Sequence, residues 1–153
     1  MTGKYLAARL TEVFLNGQWI AQTNYKEQLT NITWQQAIYK QRNLNSIAAL
    51  AFHVNYYIKG LNQVFAGGNL DIKDAYSFDM PPVKSQTDWD NIVDGFFIDA
   101  RTFIKHIEQM DEQQLNKSFV KTEYGSYLRN IEAQLEHAYY HLGQIVLIKK
   151  LMA

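Results

Sequence analysis

Four stretches of the chain carry apolar residues at alternating three- and four-residue steps, the spacing that places side chains on one face of an α-helix. The first runs Leu6, Leu10, Val13, Gly17, Ile20 and Asn24, its last position a polar interruption. The second runs Ile47, Leu50, Val54, Tyr57, Leu61 and Val64. The third carries Phe96, Ala100, Phe103, Ile107 and Met110, and the fourth Leu128, Ile131, Leu135, Ala138, Leu142 and Ile145. The pattern predicts helices over 2–28, 46–66, 86–110 and 124–151. Four helices, each with one apolar stripe, bury those stripes together as a bundle, so the expected fold is all-α, a four-helix bundle in one domain over 1–153.

The breaks agree with this division. Gly67-Gly68 and Pro81-Pro82 fence off one segment, and Gly125 precedes the last helix. Thr87 and Asp90 form a near capping box, and Ser46 or Asn45 can cap the second helix. Lys149 and Lys150 fall in the last turn of the fourth, where the helix dipole favours cations. Residues 70–80 alternate weakly in the manner of a strand, but two prolines follow at once. The connections 29–45 and 67–85 are longer than a tight bundle requires, and long connections often carry function. Trp34, in the first of them, reads as a plug over the end of the bundle.

Composition narrows the chemistry. Fifteen basic and fifteen acidic residues cancel, so no overall field favours nucleic acid or an anionic membrane. No window is apolar for long enough to span a bilayer. The first thirty residues lack the uninterrupted apolar run of a signal peptide, and a cytoplasmic location is the expectation. The absence of cysteine excludes disulfides, thiolate nucleophiles and cysteine-held metal from the chain itself. Any metal must therefore be held by His, Asp or Glu.

Of the four histidines, His137 and His141 lie four apart, one turn apart on the same face of the fourth helix. That spacing offers two imidazoles to one cation. The zincin glutamate is missing, because Ala138 follows His137, and a metalloprotease reading fails. On a helical wheel Asn130, Gln134, His137 and His141 form a polar stripe beside the apolar one. His53 borders the apolar stripe of the second helix, with the small residues Ala49 and Gly60 along its row. Two helices can thus point imidazoles into one cleft, and three such ligands leave at least one coordination position open. Spacing and face alone leave the plainer reading standing, in which these are hydrogen-bonded histidines at a core boundary. His106, near the end of the third helix, reads as a surface residue favoured by the dipole. Tyr56, Tyr140 and Gln144 are placed to reach a pocket near the histidines, whereas Tyr57 and Tyr139 read as core with a hydroxyl at the rim.

The run from Ser46 to Tyr57 (SIAALAFHVNYY) resembles the second helix of the DinB/YfiT superfamily, and the run from Leu135 to Ile145 (LEHAYYHLGQI) resembles its fourth. Trp34 sits where many members carry a tryptophan, and the resemblance extends over nearly the whole chain. It implies a four-helix bundle holding one divalent metal, zinc or nickel, through His53, His137 and His141. It also implies a homodimer and a thiol-dependent enzyme, an S-transferase or isomerase using a low-molecular-weight thiol and a small-molecule substrate. Gln134, Tyr140 and Gln144 would then orient the ligands or contact substrate. No arginine cluster for a cofactor carboxylate is evident, since Arg42, Arg101 and Arg129 are scattered.

Two other functions remain open on the sequence. Metal-assisted hydrolysis needs a carboxylate base, and Glu136, Asp88 and Glu123 are poorly placed for that role. A non-catalytic metal-binding stress protein needs neither thiol nor base.

Overall fold

The computed structural model describes residues 1–153. The apolar stripes of the second, third and fourth stretches turn inward, as does that of the first up to Val13, and the chain is all-helical, with one isolated bridge between Ser118 and Ser126 in place of any strand. The long helices are α1 (Gly3–Thr11), α4 (Ile47–Phe65), α5 (Gln86–Glu108) and α7 (Tyr127–Met152). Three short ones, α2 (Tyr25–Leu29), α3 (Trp34–Ile38) and α6 (Glu112–Asn116), lie in the connections. α5 packs against α1 and α4, and α7 packs against α4 and α1. Leu10, Val13, Ile47, Phe96, Ala100, Phe103, Ile131, Ala138 and Ile145 are wholly buried among them.

Each helix start has a side chain that satisfies an otherwise unpaired amide. Ser46 caps α4 by accepting from Ala49 N–H, and Ser126 caps α7 by accepting from Arg129 N–H. The cap of α5 is Ser85, two residues before the expected Thr87, and it accepts from Asp88 N–H. Asp88 returns the bond to Lys84 N–H at 2.8 Å, and that backbone bond holds its carboxyl below the usual range. Lys149 reaches back from the last turn of α7 to the Gln28 carbonyl at 3.3 Å.

The first helix departs from expectation. Instead of running to residue 28 it widens at Glu12–Asn16 into a π-helical turn, closed by Gly17 N–H on the Glu12 carbonyl at 2.9 Å, and stops. A Cβ at Gly17 would stand 2.5 Å from Glu12 Cβ, so the sharp exit requires glycine. Ile20, the expected continuation of the stripe, is exposed, as is Trp19. Asn24, read as a polar interruption of one helix, caps another. It accepts from Glu27 N–H and donates to the Gly17 carbonyl. The helix it begins, α2, turns Tyr25 into the core. There its ring stacks on Phe96 at 5.1 Å, its neighbour Phe14 lies at 5.4 Å, and its hydroxyl donates to the Ala138 carbonyl at 2.6 Å.

The connection 29–45 is not the open loop expected. α3 occupies its middle, begun by a capping box between Thr33 and Gln36, and Trp34 packs half-buried on the core where α3 meets α4 and α5. The segment 67–85 holds only a 3₁₀ turn at Asp74–Tyr76, and its course over α4 is set by side chains of that helix. The Tyr56 hydroxyl accepts from Lys73 N–H at 2.8 Å and lies 2.9 Å from the Lys73 carbonyl, and Tyr57 donates to Asp74 at 2.9 Å. Ile72 fills the place where a Cβ at Gly60 would sit, its nearest atom 2.6 Å away. The space that the small residue Gly60 leaves along the row of His53 is therefore taken by the chain itself. No helix is long and apolar enough to cross a membrane.

Candidate metal centre

α4 and α7 face each other antiparallel, so residue numbers rise along one as they fall along the other. This brings His53 opposite His137 and His141. The Nε2 atoms of His53 and His137 are 3.0 Å apart, as are those of His137 and His141, and one ring nitrogen from each residue lies within 4.8 Å of the others. His53 and His141 are buried, and His137 keeps more solvent contact. The three rings meet edge-to-face, with centroids 4.5 to 4.9 Å apart. The residues paired by spacing and wheel position thus form one cluster. His106 stays apart, its ring against Phe65.

Hydrogen bonding sets the direction of the rings. Gln144, one turn after His141, presents Oε1 to His141 Nδ1 at 2.6 Å. An amide oxygen only accepts, so Nδ1 carries the proton and the Nε2 lone pair faces the other histidines. His53 lies flat against Phe78 of the 67–85 segment, with centroids 4.0 Å apart and planes 7° from parallel. Its Nδ1 is buried beside the Ser77 backbone but outside strict hydrogen-bonding geometry. His137 Nδ1 and Gln134 Oε1 are also buried without a partner.

The cluster resists protonation. Burial lowers the pKa of all three imidazoles. For His53 the charge of His141 adds to this, while the Ser77 backbone and Asp74 oppose it. For His137 burial comes first, then repulsion from His141 and His53, and the value falls to about 4. For His141 the Gln144 bond works against burial. Three neutral nitrogens that converge and refuse protons suit a cation. Imidazole–zinc distances of about 2.0–2.1 Å in a tetrahedral site require N···N separations of about 3.3 Å, so the two pairs at 3.0 Å fit after opening by a few tenths of an ångström.

A pH dependence follows with a definite sign. Each folded-state value lies below the ordinary 6.5, so as pH falls the unfolded chain takes up protons before the folded one. The contribution to stability is fully present above about pH 6.5 and is lost as pH falls toward 4. Denaturant melts of chelator-treated protein between pH 7.5 and 4.5 should show this decline, and a His137→Leu variant should show less of it. Equal slopes in both proteins would remove the cluster as the cause.

Around the rings, Tyr57 stands edge-on to His53 and His137, at 5.3 and 5.4 Å between centroids, with its hydroxyl committed to Asp74. Burial, then the Asp74 bond, raises its pKa. Asp74 is the carboxylate tied to the cluster through this bond, and its charge acts on His53; sequence reasoning did not find it. The acidic residues weighed from sequence are engaged elsewhere. Glu136 pairs with Arg129 at 3.5 Å, Glu123 with Lys121 at 4.0 Å, and Asp88 serves the start of α5. Phe78 was missed too, since nothing in its local pattern marks it as a partner of His53. Of the expected pocket residues, Gln144 touches His141 directly, and Tyr140 is largely exposed, its ring meeting that of His141 edge-to-face at 4.9 Å between centroids. Tyr56 points away to the Lys73 backbone. Two cavities open on the α4–α7 seam on either side of the histidines. One of about 230 Å³ is lined by Leu50, Gln144 and Leu147 among others, and one of about 400 Å³ by Tyr57, Leu61 and Gln134 among others.

The chain belongs to a family described as proteins of unknown function, DUF1572, whose model matches residues 5–153. No curated protein and no solved structure matches the chain.

Proposed function

We propose that this protein is a divalent-metal-binding four-helix bundle of the DinB/YfiT type, with His53, His137 and His141 as ligands. We further propose that it acts as a metal-dependent enzyme on a low-molecular-weight thiol, as an S-transferase or isomerase. The observation that carries this reading is the convergence of three ring nitrogens within 4.8 Å, His137 Nε2 standing 3.0 Å from Nε2 of each of the other two, in a place that disfavours protonation. A divalent cation there, zinc or nickel, would keep most of its charge uncompensated among three neutral imidazoles, and its open position would draw a thiol as its thiolate. The chain's own part is orientation and exclusion of water. Gln144 holds His141 in the tautomer that points Nε2 inward, Phe78 covers His53, and Tyr57 walls the cluster with its hydroxyl turned to Asp74. The lack of any cysteine supports an external thiol.

Metal-assisted hydrolysis is the second reading, and Asp74 is the observation that favours it, as a carboxylate one hydrogen bond beyond Tyr57. Cobalt-loaded protein separates the two. Titration with a small thiol should produce a sulfur-to-cobalt charge-transfer band near the ultraviolet edge, lost in the His53→Ala variant. A cobalt protein whose spectrum ignores thiols, yet which hydrolyses esters with water alone, would favour the second reading and end the first.

A further inference from the structure

The helix that carries two of the three histidines has a second ordered face, turned outward. Glu136, Tyr140, Gly143, Leu147 and Lys150 follow one another at steps of four and three residues, with Leu151 beside the last. They form one seam along α7, opposite its buried stripe. All six are exposed, and the large side chains Tyr140, Leu147 and Leu151 keep 64, 54 and 48 % of their surface in solvent. Leu44 widens the patch from the connection before α4, since it lines a cavity with Leu147 and is itself exposed. Apolar residues scattered singly over a surface need no explanation, but a row of them at coiled-coil spacing does. Gly143 is an independent observation. A glycine inside a long helix weakens it, and Gly3 and Gly60 have a reason within the chain: a Cβ would stand 2.2 Å from the Ile107 carbonyl oxygen in the first case and 2.6 Å from Ile72 in the second. A Cβ at Gly143 would meet nothing within 4 Å. Its missing side chain serves no contact inside the protein and leaves a notch between Tyr140 and Leu147, where another backbone can approach. Gly95 of α5 is open in the same way, but Asn91, Asp94 and Asp99 surround it and Ile98 is its one exposed large apolar neighbour.

We propose that α7 packs through this seam on α7 of a second copy of the chain, antiparallel, about a two-fold axis at Gly143. The choice of partner follows from the symmetry of the seam itself. Reversed about Gly143, it sets Glu136 of one copy opposite Lys150 of the other and Tyr140 against Leu147, so charge meets its opposite and apolar meets apolar. A parallel pair would set each residue against itself, Glu136 on Glu136 and Lys150 on Lys150. Lys150 takes part in no salt bridge within the chain, and Glu136 has only the exposed Arg129 at 3.5 Å. Equal numbers of acidic and basic residues leave no net repulsion between two copies. Tyr140 of one copy then stands beside the cavity of the other that Leu44, Gln144 and Leu147 line, and Gln144 is the residue bonded to His141. The pairing rests on the outer face of α7 and does not require the metal.

Sedimentation equilibrium of the full chain, from about 1 to 100 μM, should approach twice the 17.8 kDa of one copy at the upper end. Gly143→Leu fills the notch while improving the helix, so the variant should melt no lower as a monomer. Its dimerisation should nonetheless weaken by more than about tenfold. Leu147→Glu, at an exposed position, should weaken it as strongly with an unchanged circular dichroism spectrum. Glu136→Lys or Lys150→Glu alone should cost roughly fivefold, since the pair occurs twice, and the double exchange should restore most of the loss. The chain has no cysteine of its own, so introduced ones report the orientation. Tyr140→Cys mixed with Leu147→Cys should form a disulfide between the two variants, and neither should cross-link with itself. A mass of 17.8 kDa throughout would give the face to some other molecule and overturn the proposal. So would a dimer untouched by both Gly143→Leu and Leu147→Glu, or self-cross-linking of either cysteine variant.

Discussion

Purified protein should carry about one equivalent of a transition metal, and His137→Ala and His141→Ala should each carry almost none. Groups that merely orient metal ligands cost about 10- to 100-fold in affinity when removed, so loss of a ligand itself should exceed about 100-fold. A thermal readout accompanies the elemental one. A metal at a hundred times its dissociation constant stabilises a fold by about 2.7 kcal/mol, which in a chain of this size raises the melting temperature by roughly 5–11 °C. Wild type should show that rise on adding zinc or nickel, and the two variants should not. Without metal the order should invert: three buried imidazoles whose ring nitrogens converge, two of them with Nδ1 unpartnered, cost desolvation that nothing repays, so apo His141→Leu should melt no lower than apo wild type. A metal-free wild type that also refuses added zinc and nickel would make the cluster a structural packing of histidines.

The second large effect lies away from the histidines. Tyr25→Ala should destabilise the protein by about 3–5 kcal/mol, the range for deleting a fully buried aromatic ring. Tyr25 has no exposed surface, stacks on Phe96, packs beside Phe14 and bonds to the carbonyl of Ala138, the residue after His137. Tyr25→Phe keeps the ring and loses only the hydrogen bond. The Ala138 carbonyl lies within α7 and retains its helical partner, so that variant should cost about 1 kcal/mol. Urea unfolding at neutral pH measures both. A Tyr25→Ala cost below about 1 kcal/mol would mean that α2 contributes little to the core. Because Tyr25 braces α7 next to a proposed ligand, the alanine variant should also weaken zinc binding while leaving all three histidines in place.

How much of this was legible in advance depends on the kind of interaction. The stripes of α4, α5 and α7 were readable to within about three residues at each end, because burial of a helix face imposes a local period. The histidine cluster was half legible. His137 and His141 share a face by backbone geometry alone, but nothing local says that His53 lies opposite them. That pairing was inferred from wheel position and resemblance. The first helix was over-extended because Leu6 through Asn24 keep a helical period that the chain does not use beyond Asn16. The signals for the break were present in Gly17 and Asn24, but a glycine and an asparagine within an otherwise regular stripe have two readings. The contact of Tyr25 with Phe96 and Ala138, across 71 and 113 positions, selects one.

Asp74 and Phe78 show the limit most clearly. Both belong to a segment with almost no regular structure, and their place over α4 is decided by Tyr56, Tyr57 and Gly60, whose contacts with it span twelve to seventeen residues. From the sequence alone came the helical class, the apolar faces, the absence of any internal thiol and the candidate ligand types, because each depends on composition or on a repeat a few residues long. The tertiary structure alone decided where the first helix ends, which carboxylate stands near the histidines and what covers His53. Those depend on contacts between residues far apart in the chain, whose geometry exists only once the helices have packed.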